Sequence, residues 1–447
     1  MAAMRMKSLR IWNWFRIAAN VGYPLGWLCG LVLLLVGCSG DQAPAITEAT
    51  PTPAVLVTPT VVPITTAEAE IALPVQRQLV IWTPEFFDAS LDSEASRLLQ
   101  TVYQGFEQEH AGVHIDVQVK AEAGEANLFN YLRSTQRVAP TIMPDVVLID
   151  TYYLWQLVEL GLVEPIALDQ LGLTDRFYPF ALDAVTYQAQ QYGIPYVADV
   201  LHAVYATETY TTPITWDQLL TVQQPYHFPA GVRESSYDES LLLQYVGAGG
   251  ELLENGGISS LQAAETLFAF LARAKDKGVI TDAVLDLPSL KATWNAFQIN
   301  PQGVANVSAN FYMSQVGTQA NIRFGPLPTR DGANLTIAHT WAFAVLTNDP
   351  ERRALALRLL DGFLEPSVHG QWSQLATRLP TTHQAWEAWP GTNGYTEFLQ
   401  RQLAIAIAVP GGSSFSEFAR RLQSMQQAIL RGQLSPQAAL VQLQAEP

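Results

Sequence analysis

Between residues 78 and 150 the spacing of apolar positions changes character repeatedly. Residues 78–84, QLVIWTP, are a short apolar run closed by proline, which reads as a buried strand. In 94–109, Leu98, Val102 and Phe106 fall four apart, on one face of a helix. VHIDVQV at 113–119 alternates apolar with polar and predicts a strand with one exposed face. A polar helix is expected around 128–137. The run VVLI at 146–149 is a third strand, ended by Asp150 and followed by a helix from about Tyr152 that stops at Gly161. Strands and helices alternating at this spacing imply crossover connections and a mainly parallel sheet. Ligands bind such sheets beyond the carboxyl ends of the strands. Trp82 and Asp150 stand at or near two of those ends.

The second half is less regular. A Gly-Ile-Pro turn at 193–195 opens an extended apolar run. Thr215 is placed to cap a helix, with Gln218 three residues on. Residues 240–278 read as helical except for GAGGELLENGG at 247–257. Those glycines are turn residues, since Leu252 stands where a phosphate-binding fingerprint needs its third glycine. Leu267, Phe270, Leu271 and Ala274 share a helix face ending at Gly278. Strands are expected in 301–316, 322–329 and 339–349, the first running into a helix. Pro350 then opens a long helix. The C-terminal stretch is helical, broken at Pro390-Gly391 and Pro410-Gly411-Gly412.

The N-terminus has a different composition. Arg5, Lys7, Arg10 and Arg16 precede an apolar run at 17–36 and the small residues Gly37, Cys38 and Ser39, the three parts of an export signal. LVGC at 35–38 resembles a bacterial lipobox. That resemblance implies that Cys38 becomes the first mature residue and carries acyl chains, a stable anchor at ~0.8 kcal/mol per buried methylene. The alternative is an uncleaved membrane helix, since ~20 apolar residues span a bilayer. Asn20 and Pro24 weigh against it. Prolines interleaved with Thr, Ala and Val make the next segment an extended spacer. The expected organisation is thus a signal peptide at 1–37, a lipid-anchored spacer at 38–76, and a folded body from Arg77 outside the cytoplasm.

Charge and cysteine content narrow the function. The formal net charge is −16, and the first 38 residues contribute only basic groups, so the body is more acidic still. A nucleic-acid partner is excluded on that ground. Cys29 and Cys38 are the only cysteines, so the body has no disulfide or thiolate metal site. His110 and His114 are four apart but separated by Gly112 at a helix end, which does not make a metal site. No cofactor is expected. The sequence lacks a Gly-x-Ser-x-Gly elbow, a His-Glu-x-x-His helix and a Gly-Lys phosphate loop, so an enzyme is not expected. A carboxylate pair such as Asp150 and Asp199 keeps a glycosidase open as a lesser alternative.

From about Leu79 to the C-terminus the motifs PDVVLID, LVELGLVEPI, GIPYVADVLHAVY, ITWDQLL, AFLARAKDKGVI, GVANVSANFY, GPLPT and WAFAVLTND occur in an order that resembles the extracellular solute-binding proteins of ABC importers, in the sugar-binding branch called family 1. The resemblance implies an α/β, two-lobe periplasmic-binding-protein fold, each lobe a mainly parallel sheet flanked by helices, joined by hinge strands that let it close on a ligand. It puts the crossings near 195–201 and 325–328. Lobe one would be 77–197 plus 329–370, and lobe two 201–325 plus 371–447. A monomer binding a carbohydrate for a membrane permease is the implied function. A sensor, or a binder of a polyamine, peptide or phosphate ester, is the alternative.

Sugars offer hydroxyl rims to carboxylates and amides, and apolar faces to aromatic rings. The candidate contacts are Trp82 (or a core tryptophan), Asp150 (acceptor, helix cap, or both), Tyr152, Asp199 (contact or hinge packing) and Trp341. Asn310 and Phe311 stand where the family has a ligand-facing turn. Trp155 is a weaker candidate, Trp294 reads as core, and Arg378 reads as a solvated arginine. The shortage of cations near these positions weighs against phosphate. Two departures from the family are Tyr205-Ala206, where Tyr-Asn is usual, and His339-Thr340-Trp341, where small-small-Trp is usual.

Overall fold

A computed structural model of the chain describes residues 77–206, 209–232, 237–315, 322–391 and 393–445. The export signal, Cys38 and the spacer lie outside these. Strands β1 (Arg77–Pro84), β2 (Val113–Lys120) and β3 (Val146–Asp150) form where the apolar pattern places them. Helices α1 (Glu94–Glu109) and α2 (Leu128–Val138) connect them, and α3 (Thr151–Glu159) follows β3. Ser93 and Asn127 cap α1 and α2, accepting from the backbone N–H of Ser96 and Asn130. β1 lies between β2 and β3, parallel to both. Strict alternation sends Leu79, Ile81, Val146 and Leu148 into one apolar cluster and Trp82, Val147 and Ile149 into another. The sheet is therefore covered on both faces, as parallel sheets with crossover helices are.

The rest of the sheet depends on one long strand, β4 (Ile194–Ala206). Its last residues pair antiparallel with β5 (Val304–Ser308) and β6 (Ile322–Gly325). Its first residues pair antiparallel with β7 (Ile337–Val345), which is itself antiparallel to β3. One continuous sheet results, in the order β2-β1-β3-β7-β4-β5, with the short strand Tyr226–His227 beyond β5. The parallel arrangement holds at β2-β1-β3. From β3 through β7 and β4 to β5 the neighbours are antiparallel, because β4 and β7 run straight between two cores and need no crossover helix, and the Tyr226–His227 strand is again parallel to β5.

The second core packs Leu201, Ala203, Tyr205 and Val304 against α4 (Glu239–Gly247) and α5 (Leu261–Asp276). The opposite face holds Val204, Ala305 and Val307 with Trp294, which is the core residue the sequence analysis expects. Two segments pack differently from the expected lobe boundaries. Leu327 and Ile337 both belong to the second core, and Thr329 exchanges backbone bonds with Ile214 and Trp216. The chain thus returns to the first core at Ile337–Ala338, after the expected crossing at 325–328. The C-terminal region is also divided. Helices α6 (Pro350–Phe363), α7 (Pro366–Leu375) and α8 (Gly394–Ile405) give Phe363, Trp372 and Leu399 to the first core. A third passage at Ile407–Ala408, paired with Ile337 and Ala338, carries the chain back. Then α9 (Ser413–Leu430) and α10 (Pro436–Ala445) complete the second core. Residues 371–405 therefore pack away from the core expected for them. Pro and Gly mark where those helices break, but an apolar helix face fits either core.

Asp145, 2% exposed, ties three elements of the first core together. Its Oδ2 accepts from the Val80 N–H at 2.9 Å and its Oδ1 from Arg352 on α6 at 2.8 Å. Asp145→Ala removes both charge-assisted bonds and leaves the partly buried Val80 N–H without its acceptor, so it should cost about 2–3 kcal/mol. Urea unfolding at neutral pH measures this, and a loss under about 0.5 kcal/mol would rule out the tie.

Candidate functional site

Register brings distant residues together. β7 sets Trp341 opposite both Asp150 on β3 and Val197 on β4, and sets His339 opposite Asp199. An irregularity at Trp341/Ala342 shifts the pairing there, the kind of local bend that re-aims a side chain. On the far edge of β4, Leu201 faces Ser308. Polar and aromatic side chains therefore gather where β4 changes partners. A cleft of about 1150 Å³ opens at that point, lined from both cores.

Asp150, Tyr152, Asp199, Asn310 and Trp341 line the cleft, and Trp155 reaches it as well. Trp82 and Phe311 do not. Trp82 is 1% exposed, because the alternation that buries Leu79 and Ile81 on one face of β1 turns it to the other. Its ring meets the edge of Tyr131 at 5.5 Å and lies under the Lys120 ammonium at 4.6 Å. Phe311 packs on Trp294 at 6.3 Å, behind the Ala309–Gln315 helix that carries Asn310. The helical turn that faces Asn310 toward the cleft carries its neighbour away.

Asp150 caps α3, its Oδ1 accepting from the Tyr152 N–H at 2.8 Å. Its Oδ2 lies 2.9 Å from His339 Nε2, and His339 Nδ1 lies 2.9 Å from Glu239 Oε1 at the start of α4. Burial opposes a charge on the His339 ring. The two carboxylates outweigh burial and hold its pKa well above the usual histidine range. Asp199 accepts from the Ser308 hydroxyl and from the Asn310 N–H, the latter at 3.0 Å. Burial pushes its carboxyl up while these two bonds pull it down. Asn310 is 8% exposed and donates Nδ2 to the Ala198 carbonyl at 3.1 Å, yet its buried Oδ1 has no hydrogen-bond partner. A buried amide oxygen left without a donor is costly.

Aromatic surface frames these groups. Tyr153 stacks on Phe129 at 4.8 Å and 10°, with Tyr152 edge-on to Tyr153 at 4.9 Å. At the other end Trp341 meets the edge of Phe86 at 5.0 Å. Several lining residues escape the sequence reading. The loop after β2 contributes Glu122, Glu125 and Asn127. The strand-end rule that marks Asp150 applies equally to β2, so that loop is visible in principle. Burial pushes the Glu122 carboxyl up, with Arg378 pulling the other way. Arg378 lines the cleft rather than standing in solvent, its guanidinium 4.1 Å over Phe86. Arg420 and Ser416 arrive on α9, for which no local sequence signal exists. Among the described residues neither Arg378 nor Arg420 makes an ion pair, and no acidic, histidine or cysteine cluster of metal-binding size occurs. The cleft therefore presents carboxylates, two guanidiniums, amides and rings. That set suits reversible binding of a hydroxyl-rich solute.

Residues 101–393 match the model of the bacterial extracellular solute-binding proteins, and the chain belongs to that family of non-enzymatic binders. Solved structures of the same fold include the cyclic alpha-maltosyl-1,6-maltose binding protein from Arthrobacter globiformis, at 18% identity and TM-score 0.66 over 82% of this chain and 97% of that one. The sugar-binding protein MalE from Xanthomonas citri matches at 16% identity and TM-score 0.65, covering 82% of this chain and 95% of that one. A family 1 extracellular solute-binding protein from Bifidobacterium longum subsp. infantis matches at 15% and 0.63, over 83% of this chain and 98% of that one. At such identities the likeness shows the fold, a mixed α/β architecture of the maltose-binding-protein kind.

The placement of Trp82 has a direct test. Trp82→Ala should cost about 3–5 kcal/mol of stability as a core truncation. Trp341→Ala, at the cleft wall, should cost less in the same urea titration. Equal costs would contradict the different placements of the two rings.

Proposed function

We propose that the chain is the extracytoplasmic binding subunit of an ABC importer, and that its solute is a carbohydrate of more than one ring. The observation that carries this reading is the pairing of ring faces with carboxylate and amide edges in one cleft of about 1150 Å³ between two cores. That volume exceeds the ~300–1,000 Å³ usual for small-molecule pockets. Trp341 and the tyrosines suit the apolar faces of sugar rings, and Asn310 and Asp199 suit their hydroxyls. Structures of the same fold are described as binding maltose, cyclic alpha-maltosyl-1,6-maltose and chitin oligosaccharide, which supports the same ligand class.

Binding draws the two cores together by flexing at β4, β7 and the 407–408 passage. The ligand supplies the free-energy difference between open and closed states, and only the closed pair presents one composite surface to a permease. Cys38 carries the lipid anchor in this reading, with the proline-rich spacer as tether. Among the described residues no helix is long and apolar enough to cross a membrane. A second reading is favoured by Arg378 and Arg420. A carbohydrate bearing a carboxylate or phosphate would pair with guanidiniums that a neutral sugar uses only as donors.

A thermal-shift panel of neutral oligosaccharides, uronates, sugar phosphates and polyamines tests both readings. A ligand present at 100 times its Kd adds about 2.7 kcal/mol to the folded state. Asn310→Ala should weaken binding by about 1–3 kcal/mol, and Phe311→Ala should leave affinity unchanged. A shift with polyamines alone would overturn the carbohydrate reading.

A further inference from the structure

His339 occupies a position that joins the two cores. Asp150 ends β3 in the first core, Glu239 begins α4 in the second, and the imidazole spans them with a 2.9 Å contact to each. β7 passes from one core to the other only two residues earlier, at Ile337. Ionised carboxylates accept hydrogen bonds and do not donate them, so both ring nitrogens must donate. A neutral imidazole has one N–H and can keep only one of the two contacts. The other oxygen of Asp150 accepts from the Tyr152 N–H, so each of its oxygens already holds one bond within the protein.

We propose that His339 is a positioning residue: its doubly protonated ring clasps the two cores together through Asp150 and Glu239, so that closure of the cleft follows the protonation of the ring. That closure also sets ligand affinity is a corollary that rests on the carbohydrate reading; the clasp itself does not. Other titrating groups surround the ring. Asp199 faces it across the β4–β7 register, and Glu122 and Tyr153 are electrostatically coupled to it. Tyr152 and Tyr237 share a small cavity with it, and Arg378 and Arg420 stand on the cleft wall. Asp238, the cap of α4, is pushed up to about 7 by burial, so it titrates in a neighbouring range and needs its own control. The Ile407–Ala408 passage brings no titrating group.

The sign follows from a folded-state pKa raised above the ordinary histidine value. The clasp is complete at and below the ordinary histidine range, and is lost as pH rises through the raised value.

The test needs no ligand. Nitrogen NMR of the imidazoles, with His339 assigned by His339→Gln, gives the ring's titration. Small-angle scattering over the same pH range gives the radius of the protein. The wild type and Asp238→Asn should expand as the His339 ring loses its proton. His339→Gln should stay at the larger radius at every pH. Glu239→Gln, which removes one charge at the first residue of α4, should move both the ring titration and the expansion to lower pH, and it serves if His339→Gln does not fold. A ring that is neutral at acidic pH, or a radius constant through its titration, would overturn the clasp. With a sugar from the panel in hand, wild-type affinity should fall on the order of tenfold over the same range. An expansion without any sugar binding would sink the carbohydrate reading and keep the clasp. Sugar affinity unchanged across the ring's titration would sink the coupling.

Discussion

The thirteen residues from Ile194 to Ala206 have to be backbone for two cores at once. The first part of the strand completes a sheet begun by β1 and β3, and the last part completes one built on β5 and β6. Such a strand is buried on both faces along most of its length, which is why it reads as an almost unbroken apolar run from Ile194 to Tyr205. Its one partly exposed interruption before the end is Asp199, at the point where its partners change. A polar residue there has no core to enter from either side, so it faces the gap between them. The cleft follows from that constraint. Two halves of one sheet that share a strand cannot close over the junction, and the elements that would cover it belong to different cores.

The electrostatics of the cleft follow from the same geometry. Carboxylates collected at strand ends repel one another unless each finds a donor. Asp199 finds the Ser308 hydroxyl and the Asn310 N–H. Asp150 finds the first turn of α3 and an imidazole. The resemblance implies a small residue where His339 stands, and here an imidazole lies between two carboxylates and engages one oxygen of Asp150 within the protein. Asn310 and Trp341 line the same cleft.

Period and punctuation were legible in the chain. α1 begins and ends at the residues read from its periodicity, and β1, β2 and β3 sit within a residue or two of theirs, because each side chain reports locally on its own burial. Asp150, Tyr152, Asp199, Asn310 and Trp341 were named from strand ends and family-like motifs, and the structure gathers all five at one cleft. Trp82, open beforehand as a contact or a core residue, lies in the core for a physical reason. A strand end fixes distance from the cleft, while the parity of the pleat fixes the face, and Trp82 has the parity of the core. Phe311 is turned from the cleft in the same way on a helix.

By itself, then, the sequence determined the local elements, the α/β class, the absence of thiolate chemistry in the body and the strand ends at which the cleft opens. These depend on short-range periodicity, turn chemistry and composition, which a linear pattern contains. The tertiary structure alone decided which core each C-terminal helix joins, that Arg378 and Arg420 reach one cleft from opposite sides, and that His339 lies between Asp150 and Glu239. Those are meetings of residues tens to hundreds of positions apart. Their distances are set by strand register and helix packing, and no spacing along the chain encodes them.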